Sequence, residues 1–81
     1  MRATKNARTS HIEVDWADVG RRIHELRGFD MNQDEFARRV GISQNYLSMM
    51  ERGKVEIGAV ILLRIGRGCG KSIEWLLTGK E

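Results

Sequence analysis

The sequence predicts an all-α fold, a compact bundle of five short helices. Three observations carry that prediction. The 81 residues contain no proline, so the strongest helix breaker is missing throughout. Apolar residues recur at three- and four-residue spacing in successive segments, the pattern of one buried stripe per helix. Capping side chains stand in front of these segments, and glycines follow most of them.

The first helix starts at Asp15, its N-cap, with Asp18 in the first turn where the helix dipole favours an acid. Trp16, Val19, Ile23 and Leu26 form its apolar stripe, and Gly28 ends it near Arg27. The second helix is announced by Met31 to Phe36. Asn32 caps it, Glu35 reaches back as in a capping box, and Met31 and Phe36 occupy the hydrophobic-staple positions. Phe36, Ala37 and Val40 face inward, and Gly41 stops it. The third helix repeats the same grammar, with Ser43 as cap, Ile42 and Leu47 as staple, Met50 continuing the stripe and Gly53 closing it. Two capped helices joined only by Gly41 and Ile42 cannot lie antiparallel side by side. They must cross steeply, which is helix-turn-helix geometry. A fourth helix is predicted from about Ala59 to Arg67, with Ala59, Leu62, Leu63 and Ile65 as its apolar face and Gly66 and Gly68 weakening it. A fifth runs from Ser72 to a stop at Gly79.

Composition narrows the function. Hydrophobic residues at 41% and charged residues at 31% suit one soluble globular domain rather than a disordered chain. The net charge of +3 permits a nucleic-acid partner. A single cysteine, Cys69, excludes an internal disulfide and a cysteine-rich zinc site, and suits a reducing cytoplasm. No apolar run has membrane-spanning length, and the N-terminus lacks the apolar stretch of a secretion signal. His11 and His24 have no partners at metal-ligand spacing, so no metal is expected. No cofactor or small-molecule ligand is evident. The expected organisation is a flexible basic arm over 1–14, a helix-turn-helix domain over 15–79 and a tail over 80–81. Within the arm, Arg2, Lys5 and Arg8 are candidates for contact with a nucleic acid.

The exposed residues of the third helix carry the functional signal. With Leu47 and Met50 inward, Gln44, Asn45, Ser48 and Met49 remain outward or at the N-terminal edge. Amide side chains there match adenine, whose major-groove edge offers one donor and one acceptor. The stretch from Asn32 to Lys54 resembles the repressor family of lambdoid phage repressors and Cro, the Cro/C1 type. The resemblance rests on Gln33 and Ala37 of the second helix, the Gly41-Ile42-Ser43 turn and the Glu51-Arg52-Gly53-Lys54 ending. It covers about Trp16 to Gly79 and implies a lambda-repressor-like bundle that binds double-stranded DNA as a homodimer. By that resemblance Gln44 leads base reading, with Asn45 and Met49 beside it and Ser43 at the edge. Asn32 and Gln33 hold one phosphate at a helix N-terminus, and Arg52 and Lys54 contact others. Arg27 and Glu51 match an ion pair between the first and third helices.

The chain departs from the family in four places, one of them a connection from Arg27 to Asn32 that is one residue shorter than the commonest spacing. Asn32 replaces the usual Thr or Ser. Met49 replaces a polar reader and suits a thymine methyl. Val55-Glu56-Ile57-Gly58 replaces an Asn-Pro-Ser loop and brings Glu56 unfavourably toward phosphate. Gly66 to Ser72 ends in Gly-Lys-Ser like a phosphate-binding loop, but its predicted context is a helix rather than a strand. Cys69 stands where the family has a buried leucine and is read as a small core residue, with redox sensing as the lesser alternative. Leu76 fills the core, while Ile73 and Trp75 exceed its needs and are candidates for a homodimer contact. The expected function is a transcriptional regulator, a repressor reading a palindromic operator, and not an enzyme. The alternatives are a protein-interaction module on the same scaffold or an antitoxin-type autoregulator.

Overall fold

The computed structural model describes residues 13–81. Arg2, Lys5 and Arg8 lie outside the described residues. Five helices follow in order: α1 Trp16–Arg27, α2 Gln33–Val40, α3 Gln44–Glu51, α4 Ala59–Cys69 and α5 Ile73–Thr78. Among the described residues there is no strand.

The caps read from the sequence are in place. Asp15 accepts from the Ala17 and Asp18 amides. Asn32 and Glu35 form the reciprocal capping box. Ser43 and Ser72 accept from the amides of Tyr46 and Trp75. These bonds satisfy N–H groups that a helix start leaves without partners. Gly41 and Gly79 end α2 and α5 in the left-handed conformation.

The core draws on every helix. Val19 and Ile23 of α1, Phe36, Ala37 and Val40 of α2, Leu47 and Met50 of α3, Leu62 and Ile65 of α4 and Leu76 of α5 are buried, and Ile57 joins them from the loop. Helix α1 packs on α3 and α5, α2 on α3 and α4, and α4 on α5. Val14, assigned to the arm by its sequence, is half-buried against this core.

The α1–α3 contact is close because glycine permits it. A β-carbon at Gly20 would collide with the Met50 carbonyl and stand 2.7 Å from that of Glu51. Gly53 has φ 72°, and a β-carbon there would lie 2.7 Å from the Ala17 Cα. Side chains then tie the helix ends. Arg22 donates from Nε to the Leu76 carbonyl at 2.9 Å and from Nη2 to the Leu77 carbonyl at 3.1 Å. Arg64 donates to the Val40 carbonyl at 3.2 Å. Both arginines satisfy acceptors that helix ends leave open.

Helix α4 differs from its prediction in two ways. It runs to Cys69 rather than Arg67, through both glycines. Gly66 is buried there because the Lys71 carbonyl passes 2.5 Å from where its β-carbon would be. Ala59 and Leu63 are exposed, not inward, because Leu62 and Ile65 already define the buried face. Leu63 sits a helical step of about 100° from Leu62. The helical course through Cys69 also removes the phosphate-loop reading. Lys71 instead lies over the Trp75 ring, 4.6 Å from its centroid.

Candidate nucleic-acid interface

Helix α3 is held from behind by Leu47 and Met50, both with no exposed surface. Its other side carries the predicted readers. Gln44 and Asn45 are exposed in the first turn, with Ser48 and Met49 half-buried one turn later. Residues four apart stack along one helix face, so the four side chains form a strip. Eight residues at about 1.5 Å each give a rod of roughly 12 Å. That length and the helix diameter fit a B-form major groove.

The strip is not locked by internal bonds. Among the described residues Gln44 makes no side-chain hydrogen bond. The Asn45 amide approaches the Met49 sulfur at 3.9 Å, a weak contact between neighbouring readers. Ser43 is exposed at the edge, but its oxygen accepts from the Tyr46 amide at 3.0 Å. Its hydroxyl proton is what remains to donate.

The start of α2 lies against the C-terminal end of α3. The capping box engages Asn32 Oδ1 and the Asn32 and Glu35 amides. Among the described residues the Gln33 and Asp34 amides have no partner, so they are the donors available to an anion. The Gln33 side chain has a role that the sequence did not reveal. Its Nε2 donates to Glu51 Oε1 at 3.0 Å. Glu51 therefore ties the candidate phosphate site to the candidate reading helix.

Glu51 is the hub of this arrangement. Its side chain is 6% exposed and that of Arg27 is 12% exposed. Arg27 donates twice to it, from Nε at 2.7 Å and Nη2 at 2.9 Å, and also to the Met31 carbonyl at 3.1 Å. The ion pair implied by the resemblance is thus present and bidentate. His24 joins it, its Nδ1 lying 3.2 Å from Glu51 Oε1 and 3.0 Å from Arg27 Nη2. Burial pushes the Glu51 carboxyl upward. The hydrogen bonds from Arg27, Gln33 and His24 outweigh it and hold the group below its ordinary value.

Arg52 and Lys54 are exposed just beyond α3. The Arg52 guanidinium touches the Ser48 carbonyl at 3.4 Å, and the Lys54 backbone amide closes on the Met49 carbonyl at 2.9 Å. Glu56 is exposed two residues further on. Ile73 and Trp75 lie away from the strip on α5, half-buried against the core, so less of them is free than the sequence suggested. Among the described residues the large apolar side chains that are exposed are Phe29, Val60 and Leu63. No cluster of potential metal ligands occurs among the described residues. No helix among them is long and apolar enough to cross a membrane.

Comparison with known proteins places this geometry. Residues 23–76 match the helix-turn-helix family model HTH_3. A search of curated proteins finds no match. Among solved structures, the P22 c2 repressor in complex with a synthetic operator superposes with a TM-score of 0.71 at 28% identity, covering 76% of this chain and 96% of that one. The restriction-modification controller protein C.AhdI from Aeromonas hydrophila superposes at 0.69 with 25% identity, again over 76% and 96%. The clp gene regulator ClgR from Corynebacterium glutamicum shares the fold at 0.69 and 24% identity, covering 80% of this chain and 70% of that one.

Proposed function

The chain belongs to the helix-turn-helix family of the Cro/C1 type, and on that premise we propose that it is a sequence-specific DNA-binding transcriptional regulator, a repressor. The observation that carries this reading is the strip on α3. Gln44 and Asn45 are solvent-open amides on a helix whose opposite side is fully packed. The packed rod fixes the backbone that carries them, and their largely unengaged donors and acceptors can bond to base edges, where such bonds discriminate. The neighbour solved on a synthetic operator supports the same assignment.

In this reading α3 lies in the major groove. Gln44 pairs with an adenine edge, Asn45 and Ser48 take adjacent positions, and Met49 packs on a thymine methyl. The free amides of Gln33 and Asp34 hold a backbone phosphate, helped by the open N–H of Gln33 and the Nδ2 of Asn32. Arg52 and Lys54 neutralise further phosphates, which sets register and affinity rather than sequence choice. Glu56 keeps the following loop off the backbone by charge. Ser43 donates its hydroxyl proton at the groove edge. Two copies, meeting through the uncovered parts of Ile73 and Trp75, place two α3 helices about one DNA turn apart on an inverted repeat. The protein works in the cytoplasm on chromosomal DNA.

The direct test is a gel-shift survey of genomic fragments at moderate salt. A few fragments should shift at concentrations that leave the rest free. Equal weak retardation of every fragment, or none, would overturn the reading in favour of a protein-interaction module.

A further inference from the structure

A half-open cavity of about 440 Å³ lies behind the helix-turn-helix, bounded by the end of α1, by α2 and by α4. Its size falls in the range of roughly 300–1,000 Å³ that holds small molecules. The floor is apolar, made by Leu26, Phe36, Val40 and Ile65. Arg39 and Arg64 line the wall, and both residues are exposed. No acidic residue lines it. Arg64 is fixed there by its bond to the Val40 carbonyl. Among the described residues Arg39 has no ion-pair partner.

Small residues account for the space. A β-carbon at Gly68 would meet nothing within 4 Å. Cys69 occupies the position where the family resemblance places a leucine. Burial pushes the Cys69 thiol up, so it stays neutral and adds no negative charge to the wall. An apolar floor with two arginines in the wall and no acid selects one ligand chemistry. Guanidinium forks match carboxylates in shape and charge, and an aliphatic or aromatic tail fits the floor.

We propose that this cavity binds a small amphipathic carboxylate, its tail on Leu26, Phe36 and Ile65 and its charge at Arg39 and Arg64. The proposal stands apart from the DNA reading, since ligand binding is measured without DNA.

The test uses the whole chain, methyl-labelled for NMR and titrated with octanoate and with para-butylbenzoate. Octanol and octylammonium serve as controls. Saturable shifts at the Leu26, Val40 and Ile65 methyls with either carboxylate support the proposal, and the tighter of the two identifies the tail as aliphatic or aromatic. Arg39→Ala, on an exposed side chain, should fold normally and weaken binding about tenfold, the effect of one charge-assisted contact. Cys69→Leu should fill the cavity and abolish binding, and Arg39→Ala decides the matter should that variant fail to fold. Shifts from neither carboxylate, shifts elsewhere on the molecule, or equal binding of octylammonium would overturn it.

Discussion

Replacing Glu51 with alanine should be the most damaging single change outside the hydrophobic core. The carboxylate is almost fully covered and receives four hydrogen bonds, two of them from Arg27. Its loss leaves the Arg27 charge in a mostly covered site with the Met31 carbonyl and the His24 ring nitrogen as its remaining partners. Breaking a buried ion pair from one side costs about 3–5 kcal/mol. The lower end applies here, since His24 is 63% exposed and rehydrates readily. A loss of about 3 kcal/mol lowers the Tm of a domain this size by roughly 12–24 °C. Urea denaturation followed by circular dichroism measures it. The double variant Arg27→Met/Glu51→Leu should recover most of the loss, because the desolvation cost of both charges disappears with them. A Glu51→Ala cost under about 0.5 kcal/mol, the range of ordinary surface changes, would refute the role given to this cluster.

Other outcomes follow from the same structure. Because the folded Glu51 carboxyl titrates below its ordinary value, the unfolded chain binds more protons between the two values. Its stabilising contribution is therefore complete above about pH 4.3 and is lost as the pH falls through the lower, folded value. Acid titration of stability should show that loss in the wild type and not in Glu51→Ala. Gly20→Ala should destabilise by about 1–3 kcal/mol through overpacking against the α3 backbone. Gly68→Ala, in open space within α4, should stabilise by up to about 1 kcal/mol; thermal unfolding of the two variants should move in opposite directions. Lys54→Ala should weaken all DNA sequences alike and reduce the salt-dependence slope by about 0.9. An unchanged slope in filter-binding assays would remove its phosphate role.

The local rules made much of this fold readable. Capping residues act within three positions of themselves, so Asp15, Asn32 with Glu35, and Ser43 announced three helix starts correctly. The two-residue link at Gly41 and Ile42 left little choice of crossing. Long-range features were harder to read. Leu62 and Leu63 are adjacent leucines, and which of them turns inward depends on where α2 and α5 lie. Gly66 looks like a weak point in a helix until Lys71 folds back across it. The clamps by Arg22 and Arg64 join positions far apart in the chain, and nothing in their local sequence distinguishes them from solvated arginines. The Arg27–Glu51 pair was accessible through resemblance alone. The bond from Gln33 to Glu51 joins positions 18 apart and had no signal of its own in the sequence. The cavity is a property of packing and has no sequence signature beyond the small residues Gly68 and Cys69.

Selection of bound duplexes from random DNA, run in parallel with wild type and Gln44→Ala, tests the assignment of α3 as the reading helix. The wild type should enrich an inverted repeat with half-sites about one turn apart. The variant should enrich the same repeat with preference lost at one base pair per half-site, a change of about 1–3 kcal/mol at that position. Identical motifs from both proteins, or no motif from the wild type, would contradict it.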